Sequence, residues 1–314
     1  MGSIVLLGAS GFLGHNFLLY RNLGYKIKAV RRKERNSSMR YEGVTWYDLD
    51  VSSVGSLAKI LHKDDIVINL IYSTNQGRAY NLSILEKIVK ACSDRGVKRL
   101  IHCSTAVVTG NTKATILDEA VICHPTTDYE KTKLDLENLA IKANDLGIDT
   151  AILRPTAIVG EGGGNLKILT ESLLSENKFM PYLKSLIVGS RPMHLVPVKN
   201  VIEALECLIF CKTPLRSGIY NISSDADPLN TYREVERIIA RQAAANYRPP
   251  KINLPKWALS ILLSLIGRRD KNIKTVYISE KIKSLGYLEV DSLEESIESF
   301  ASLYAKSKDK KRFE

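Results

Sequence analysis

Tyr129 and Lys133 stand four residues apart in Asp128-Tyr129-Glu130-Lys131-Thr132-Lys133, inside a stretch whose pattern predicts a helix over Tyr129–Leu146. Four residues is close to one helical turn, so the two side chains share a face. An ammonium beside a phenol favours the phenolate and can draw a tyrosine pKa from about 10 toward neutrality. Such a tyrosine can pass a proton to or from a substrate oxygen, an effect worth about 10²–10⁴ in rate. Upstream, the apolar run Arg99–Cys103 ends in Ser104-Thr105. A hydroxyl at the C-terminal end of a central strand is placed to hydrogen-bond a reacting carbonyl or carbinol. Tyr-x-x-x-Lys alone is common on surface helices, so its meaning depends on what accompanies it.

What accompanies it is a glycine loop. Ser3–Leu7 is almost wholly apolar, and Gly8-Ala9-Ser10-Gly11-Phe12-Leu13-Gly14 follows at once, before a predicted helix over Leu13–Leu23. A buried strand turning through glycines into a helix makes a phosphate cradle for a dinucleotide. Gly8 permits the tight turn, Gly11 lets backbone approach a pyrophosphate, and Gly14 lets the helix pack on the strand. The N-terminal N–H groups of the helix then face the anion. After the second strand the chain reads Val30-Arg31-Arg32-Lys33. A carboxylate there would grip a ribose 2′-OH, whereas arginines suit a 2′-phosphate. The expectation is NADP(H), with NAD(H) as the alternative. A basic surface turn is the plain reading of the same residues.

The elements that position these groups alternate between strand and helix. Strands are expected at Ser3–Leu7, Lys26–Val30, Val44–Tyr47, Ile66–Leu70, Arg99–Cys103 and Thr150–Leu153, and helices also around Val54–Leu61 and Asn81–Arg95. This predicts an α/β protein: a Rossmann-type doubly wound parallel sheet with a smaller C-terminal substrate lobe. Residues 1–155 form the dinucleotide domain, with 195–222 returning to it. Residues 156–194 and 223–305 form the lobe, and 306–314 a basic tail. In the lobe Gly160–Gly164 reads as loop before an amphipathic helix. Leu195–Val198 and Ile219–Ile222 read as strands and 231–245 as a helix.

The chain has 314 residues, 45 basic against 34 acidic, for a net charge of +11. The excess suits an anionic substrate or an acidic surface. No aromatic-basic interleaving points to nucleic acid. The five cysteines show no metal-binding spacing, so no metal is expected, and Cys207 and Cys211 read as core. The N-terminal apolar run ends in the glycine turn, unlike a secretory leader. No segment approaches the ~20 apolar residues of a transmembrane helix. A cytoplasmic protein is expected. Trp257–Ile266 is apolar and flanked by basic residues. It reads as a lobe-packing or homodimer helix, or else as a peripheral membrane contact.

Loop, hydroxyl and Tyr-x-x-x-Lys, in this order, resemble the extended short-chain dehydrogenase/reductase family of NAD(P)-dependent epimerases, dehydratases and reductases acting on sugar nucleotides. The resemblance spans roughly residues 3–300. It implies a cofactor site at Gly8, Ser10, Gly11, Phe12, Leu13 and Gly14. It adds Asp48 and Leu49 at the adenine, then Leu70, Ile71 and Tyr72. Pro155 and Thr156, after Arg154, pass the nicotinamide. Asn81 matches an asparagine opening the next helix, or is simply an N-cap. The implied catalytic set is Thr105 with its neighbour Ser104, Tyr129 as proton donor, and Lys133, which also holds the nicotinamide ribose. Asn165, before Leu166, and Arg191 resemble contacts to a nucleotide-sugar diphosphate; each is equally a turn or solvated residue.

The chain also departs from the pattern. Val108-Thr109-Gly110 stands where the family often has Val-Tyr-Gly, which removes a tyrosine from the sugar-facing wall. Ala106-Val107 follow Thr105 where 4,6-dehydratases carry Asp-Glu, and neither residue transfers a proton. Dehydration is therefore not expected. The resemblance and the NADP expectation together imply reduction of a 4-keto group on a nucleotide-activated 6-deoxy sugar, as in surface-polysaccharide synthesis. NADPH would supply hydride to C4 and Tyr129 the proton. The alternatives are a UDP-hexose 4-epimerase with bound NAD and a non-catalytic NADP-binding regulator. A hydroxysteroid- or flavonoid-type reductase fits the apolar 257–266 segment but not Asn165 and Arg191.

Overall fold

The computed structural model describes residues 2–22, 24–32, 41–53, 55–243, 245–252 and 275–310. Lys33 and the apolar 257–266 segment lie outside them. Runs such as β1 (Ile4–Leu7) and β4 (Ile66–Asn69) are buried at every position, as strands covered on both faces must be. With β2 (Ile27–Arg31), β3 (Val44–Asp48), β5 (Arg99–Cys103), β7 (Asp149–Pro155) and β10 (Gly218–Ile222) they form a parallel seven-stranded sheet. Its order is β10-β7-β5-β4-β1-β2-β3. The order reverses between β1 and β4, where α/β sheets open a crevice for ligands.

Helices cover both faces. Phe17 and Leu18 of α1 (Phe12–Tyr20) pack beside Val201, Leu205 and Leu208 of α6 (Val198–Phe210). On the other face Leu85 and Ile88 of α2 (Gly77–Asp94) meet Leu136 and Ala140 of α3 (Asp128–Ile141). Arg99, at the start of β5, is buried, donates to Asp149 and reaches the carbonyls of Leu208, Ile209, Cys211 and Thr213. It thereby satisfies the C-terminal carbonyls of α6, where a cation is favoured.

A third apolar cluster stands apart from the two that flank the sheet. Leu169 and Leu173 of α4 (Lys167–Leu174), Val235 and Ile239 of α7 (Tyr232–Gln242), and Ile297 and Phe300 of the helix Leu293–Lys310 pack together. Two small parallel ribbons join the lobe to the sheet: β8 (Ala157–Val159) with β9 (Leu195–Pro197), and β6 (Ile116–Leu117) with β11 (Val276–Tyr277).

Some elements differ from expectation. The helix expected over 54–61 is a single 3-10 turn at Leu57–Lys59. Gly55 has φ +75°, and the Asp50 carboxylate accepts from Ser52 N and from the Ser52 and Ser53 hydroxyls, holding a turn instead. The 129–146 helix ends at Ile141 and runs out as a 3-10 turn to left-handed Gly147. The α2 helix begins at Gly77, so Asn81 lies inside it rather than at its cap. The lobe segment after the glycine run holds two helices, α4 and α5 (Phe179–Val188).

Candidate active site

The glycine loop joins β1 to α1 in the conformation its residues require. Gly8 has φ +83°, and a Cβ there would meet the Leu70 carbonyl carbon at 3.2 Å. A Cβ on Gly14 would lie 2.4 Å from Gly8 O and 2.7 Å from Ala9 Cα, so only glycine lets the helix start so near the strand. The first intrahelical bond runs from His15 N to Gly11 O, at 2.8 Å. The N–H groups of Phe12, Leu13 and Gly14 thus have no acceptor within the helix, and they form the anion-binding end.

Beside this loop lies a cavity of about 350 Å³. Gly8, Ser10 and Gly11 line it at one end, Arg31, Arg32 and Leu49 further along, and Leu70, Ile71 and Tyr72 on the β4 side. A pyrophosphate at the loop with its nucleoside along the β2 and β3 ends fits this cradle.

Asp48 is placed differently from expectation. It is not part of the lining. Its carboxylate accepts from Arg31 Nε at 2.7 Å, and Arg31 lies over the Trp46 ring at 4.8 Å. Arg31 and Asp48 are direct partners in the β2–β3 register, so they meet across the strands. The acid that lines the cavity is Asp50, with Ser52. Its carboxyl sits below the ordinary range because the Ser52 hydroxyl and N–H donate to it. Asp50, Ser52, Asn75 and Tyr80 are lining residues that sequence reasoning missed. A second polar residue two positions after Asp48 was their only signal.

Asn81 clamps the loop after β4. Its Oδ1 accepts from Ser73 N, and its amide donates to the Ser73 and Gly77 carbonyls, each at 2.8 Å.

The structure brings Thr105, Tyr129 and Lys133 to the C-terminal end of β5. The α3 helix is fixed there by a capping box of Thr127 and Glu130. The Thr105 side chain lies close enough to the Tyr129 phenol to influence it, and Tyr72 meets the Tyr129 ring edge-to-face at 5.3 Å. Ser104 is buried, its hydroxyl without a partner among the described residues. Of the two, Thr105 is the one whose side chain acts on Tyr129.

Lys133 does not act on Tyr129 as expected. Its Nζ donates to Cys103 O at 3.3 Å and lies 4.6 Å from the centroid of the Tyr72 ring. Burial pushes Tyr129 above its ordinary value, with Tyr72 and Cys103 adding to the effect and the Thr105 side chain opposing it. Burial lowers Lys133 against the pull of Cys103 and Glu137. The phenol is therefore held protonated, as a proton donor must be at the start of a reduction.

Behind this cluster, Asn69 donates to His102 Nδ1 at 3.1 Å, both residues being buried. Burial and the nearby Lys133 press His102 down to about 3 from its usual 6.5. The native state then binds no proton at His102 where the unfolded chain does. Stability from this group is complete above about pH 6.5 and falls below it by at most about 1.4 kcal/mol per pH unit, down to about pH 3. Urea unfolding between pH 7 and 4.5 should show this slope, and His102→Gln should flatten it; identical slopes would refute the assignment.

Arg154 joins Glu137 through two bonds, Nε to Oε1 at 2.9 Å and Nη2 to Oε2 at 2.6 Å. Both are almost fully buried, with side chains 3% and 1% exposed. Glu137 follows Lys133 by one further turn, a spacing that sequence reading could have used. Pro155 ends β7, and Thr156 N donates to Ile222 O.

The substrate-side residues are less committed. Asn165 is exposed, and its amide donates to Ile158 O at 2.8 Å, so part of it serves the local turn. Arg191 is half-buried, its backbone linking Val188 and Tyr232. Where the tyrosine of Val-Tyr-Gly is absent, the Thr109 hydroxyl lies 2.9 Å from the hydroxyl of Tyr277, which returns a phenol from β11.

Fold, glycine cradle and the Thr105–Tyr129–Lys133 cluster define an NAD(P)-dependent enzyme of the extended short-chain dehydrogenase/reductase class. The profile of the NAD dependent epimerase/dehydratase family matches residues 4–222, and the chain belongs to that family. Short-chain dehydrogenase/reductase family 42E member 1 of Xenopus laevis is 23% identical over 282 residues, 81% of this chain and 70% of that protein. The 3 beta-hydroxysteroid dehydrogenase/Delta 5-->4-isomerase of Vaccinia virus (strain Ankara) is 23% identical over 207 residues, covering 57% of this chain and 59% of the viral protein. Among solved structures, UDP-glucose 4-epimerase of Thermotoga maritima with UDP-glucose shares the fold, with TM-score 0.71 at 19% identity over 97% of this chain and 99% of that one. No helix among the described residues is long and apolar enough to cross a membrane.

Proposed function

We propose that this protein is a cytoplasmic NADP(H)-dependent reductase of a nucleotide-activated sugar, acting on a 4-keto-6-deoxy sugar. The observation that carries the redox part is that Tyr129 and the buried Lys133 both pack against Tyr72 at the end of β5, where the Thr105 turn begins. The cradle at Gly8, Ser10 and Gly11 would hold the pyrophosphate, Arg32 and Arg31 the 2′-phosphate, and Lys133 the nicotinamide ribose. When bound, the nicotinamide supplies the hydride. Thr105 orients the substrate oxygen, and the Tyr129 hydroxyl gives its proton to that oxygen as the carbonyl becomes a carbinol. Ala106 and Val107 offer no second acid or base, which fits reduction rather than dehydration. The sugar part rests on the basic excess, on Arg191 and on the nucleotide-sugar enzymes that share the fold.

A second reading, reduction or oxidation of an apolar ring ketone or alcohol, is favoured by the hydroxysteroid name of the viral relative and by the engagement of Asn165 with Ile158. The assay that separates them follows NADPH absorbance with nucleotide 4-keto-6-deoxy sugars, UDP-hexoses and 3-oxosteroids. Stoichiometric oxidation with a 4-hydroxy sugar product supports the first reading. Hexose interconversion without cofactor consumption makes the protein an epimerase, and turnover of the steroid alone removes the sugar.

The cofactor preference has its own test. Arg31 is tied to Asp48, whereas Arg32 is exposed at the cavity. Arg32→Ala should weaken NADPH but not NADH, by roughly tenfold to a hundredfold, the loss of one charge-assisted hydrogen bond. Fluorescence titration of both cofactors measures this, and a wild type that binds NADH as tightly as NADPH overturns the preference.

A further inference from the structure

His194 is the one residue of the lobe segment before β9 whose backbone and side chain are both held in an unusual state. Its φ is +54°, in the left-handed region that is uncommon for residues other than glycine, with histidine among those that enter it more often. Such strain persists where surrounding bonds over-determine it, and it gathers at functional sites. Here the bonds are visible. His194 Nδ1 lies 2.6 Å from Asp225 Oδ2, and the Asp225 side chain is wholly buried while that of His194 is 31% exposed. Asp225 Oδ2 also accepts from Tyr277 N at 2.9 Å, and Oδ1 from the Asn230 amide at 3.3 Å. A carboxylate oxygen accepts, so at this contact the ring offers its Nδ1–H. That fixes the tautomer and leaves Nε2 as the ring nitrogen with no hydrogen-bond partner among the described residues.

The position of the ring follows from its neighbours. His194 O accepts from Ala157 N at 2.7 Å, directly after Pro155-Thr156, the segment that the family resemblance sets along the nicotinamide. The imidazole stands edge-on to Tyr277 at 5.2 Å, and Tyr277 reaches Thr109, at the end of the turn that Thr105 begins. His194 is thus tied to the segment that follows β7 and, through Tyr277, to the turn that Thr105 begins.

We propose that His194 is a substrate-contacting residue, its Nε2 hydrogen-bonding an oxygen of a polar, nucleotide-linked substrate, and that Asp225 is the positioning residue that aims it. The proposal rests on the nucleotide-sugar reading and deepens it: a hydrogen-bonding nitrogen set by a buried carboxylate is of use to a substrate rich in oxygen.

The test uses the full chain with saturating NADP⁺, histidine labelled with ¹⁵N, and UDP-glucose and TDP-glucose as probes. Binding is measured by calorimetry, and the His194 ring resonance among the five histidines is assigned by its loss in His194→Asn. Asparagine tolerates the left-handed backbone, so that variant keeps the chain path, and His194→Gly, free of the strain altogether, serves if the first fails to fold. The expected result is a saturable shift of the His194 Nε2 resonance with a nucleotide sugar and none on forming the binary complex with NADP⁺. The variants should bind the sugar about tenfold or more weakly, as for one lost hydrogen bond, with NADP⁺ affinity unchanged. Sugar binding with an unmoved His194 resonance and unaltered affinity in the variants overturns this assignment alone. No binding of either nucleotide sugar to the wild type overturns the nucleotide-sugar reading, and this assignment with it.

Discussion

Tyr129→Phe should fold, bind NADP(H) like the wild type and lose about 10²–10⁴ of kcat, the range that a positioned proton donor contributes. The expectation follows from how little else the substitution touches. The Tyr129 ring meets Tyr72 edge-to-face at 5.3 Å, and phenylalanine keeps that contact. The capping box that starts α3 uses Thr127 and Glu130, not Tyr129. Only the hydroxyl goes, and with it its interaction with the Thr105 side chain. Because burial holds the phenol protonated, its loss removes the proton that a reduced substrate oxygen must receive. Steady-state rates on the compound identified by the panel assay, with cofactor titration as the control for folding, measure this. Turnover within a few-fold of wild type would move the acid to another group.

The parts of this site that sequence reading reached obey local rules. Gly8 and Gly14 sit where backbone alone dictates the residue, one by its φ of +83° and the other by a 2.4 Å approach to Gly8 O. The inner strands β1 and β4 are short apolar runs buried at every position, and periodicity alone places Tyr129 and Lys133 on one side of α3. What escaped depends on contacts between distant segments. Asp48 faces Arg31 because β2 and β3 pair in that register, which no feature of either strand announces. The Lys133 ammonium settles on Cys103 O and the Tyr72 ring, a choice made by where β4 and β5 end relative to α3. The failed helix at 54–61 turned on Gly55 and on the Asp50 carboxylate, whose pull on Ser52 and Ser53 competes locally with helix bonds. His194 and Asp225, 31 residues apart, meet only because β9 and the end of β10 converge.

Arg154→Met should cost about 3–5 kcal/mol of stability, the usual penalty for stranding one member of a buried ion pair. Glu137 would keep its burial and lose both of its short bonds, so in the variant it becomes a carboxyl that prefers its proton. The sign of the pH effect follows. A carboxyl whose folded pKa is raised above the unfolded value contributes stability below the unfolded value, about 4.3, and loses it as pH rises through the folded one. The deficit of Arg154→Met against wild type should therefore be smaller at pH 5 than at pH 8. The double variant Glu137→Leu with Arg154→Met should recover most of the loss, because a packed apolar pair often matches a buried ionic one. Urea unfolding of the three proteins at both pH values measures all of this. A deficit that does not change with pH, or a double variant no better than the single, would mean that the pair is not what holds this seam. The seam joins α3, which carries Tyr129 and Lys133, to β7, whose end leads into Thr156. The bidentate geometry fixes how α3 is rotated against that strand as well as how far apart they lie. The double variant should for that reason regain stability more completely than kcat, since apolar packing restores volume and leaves the rotation unset.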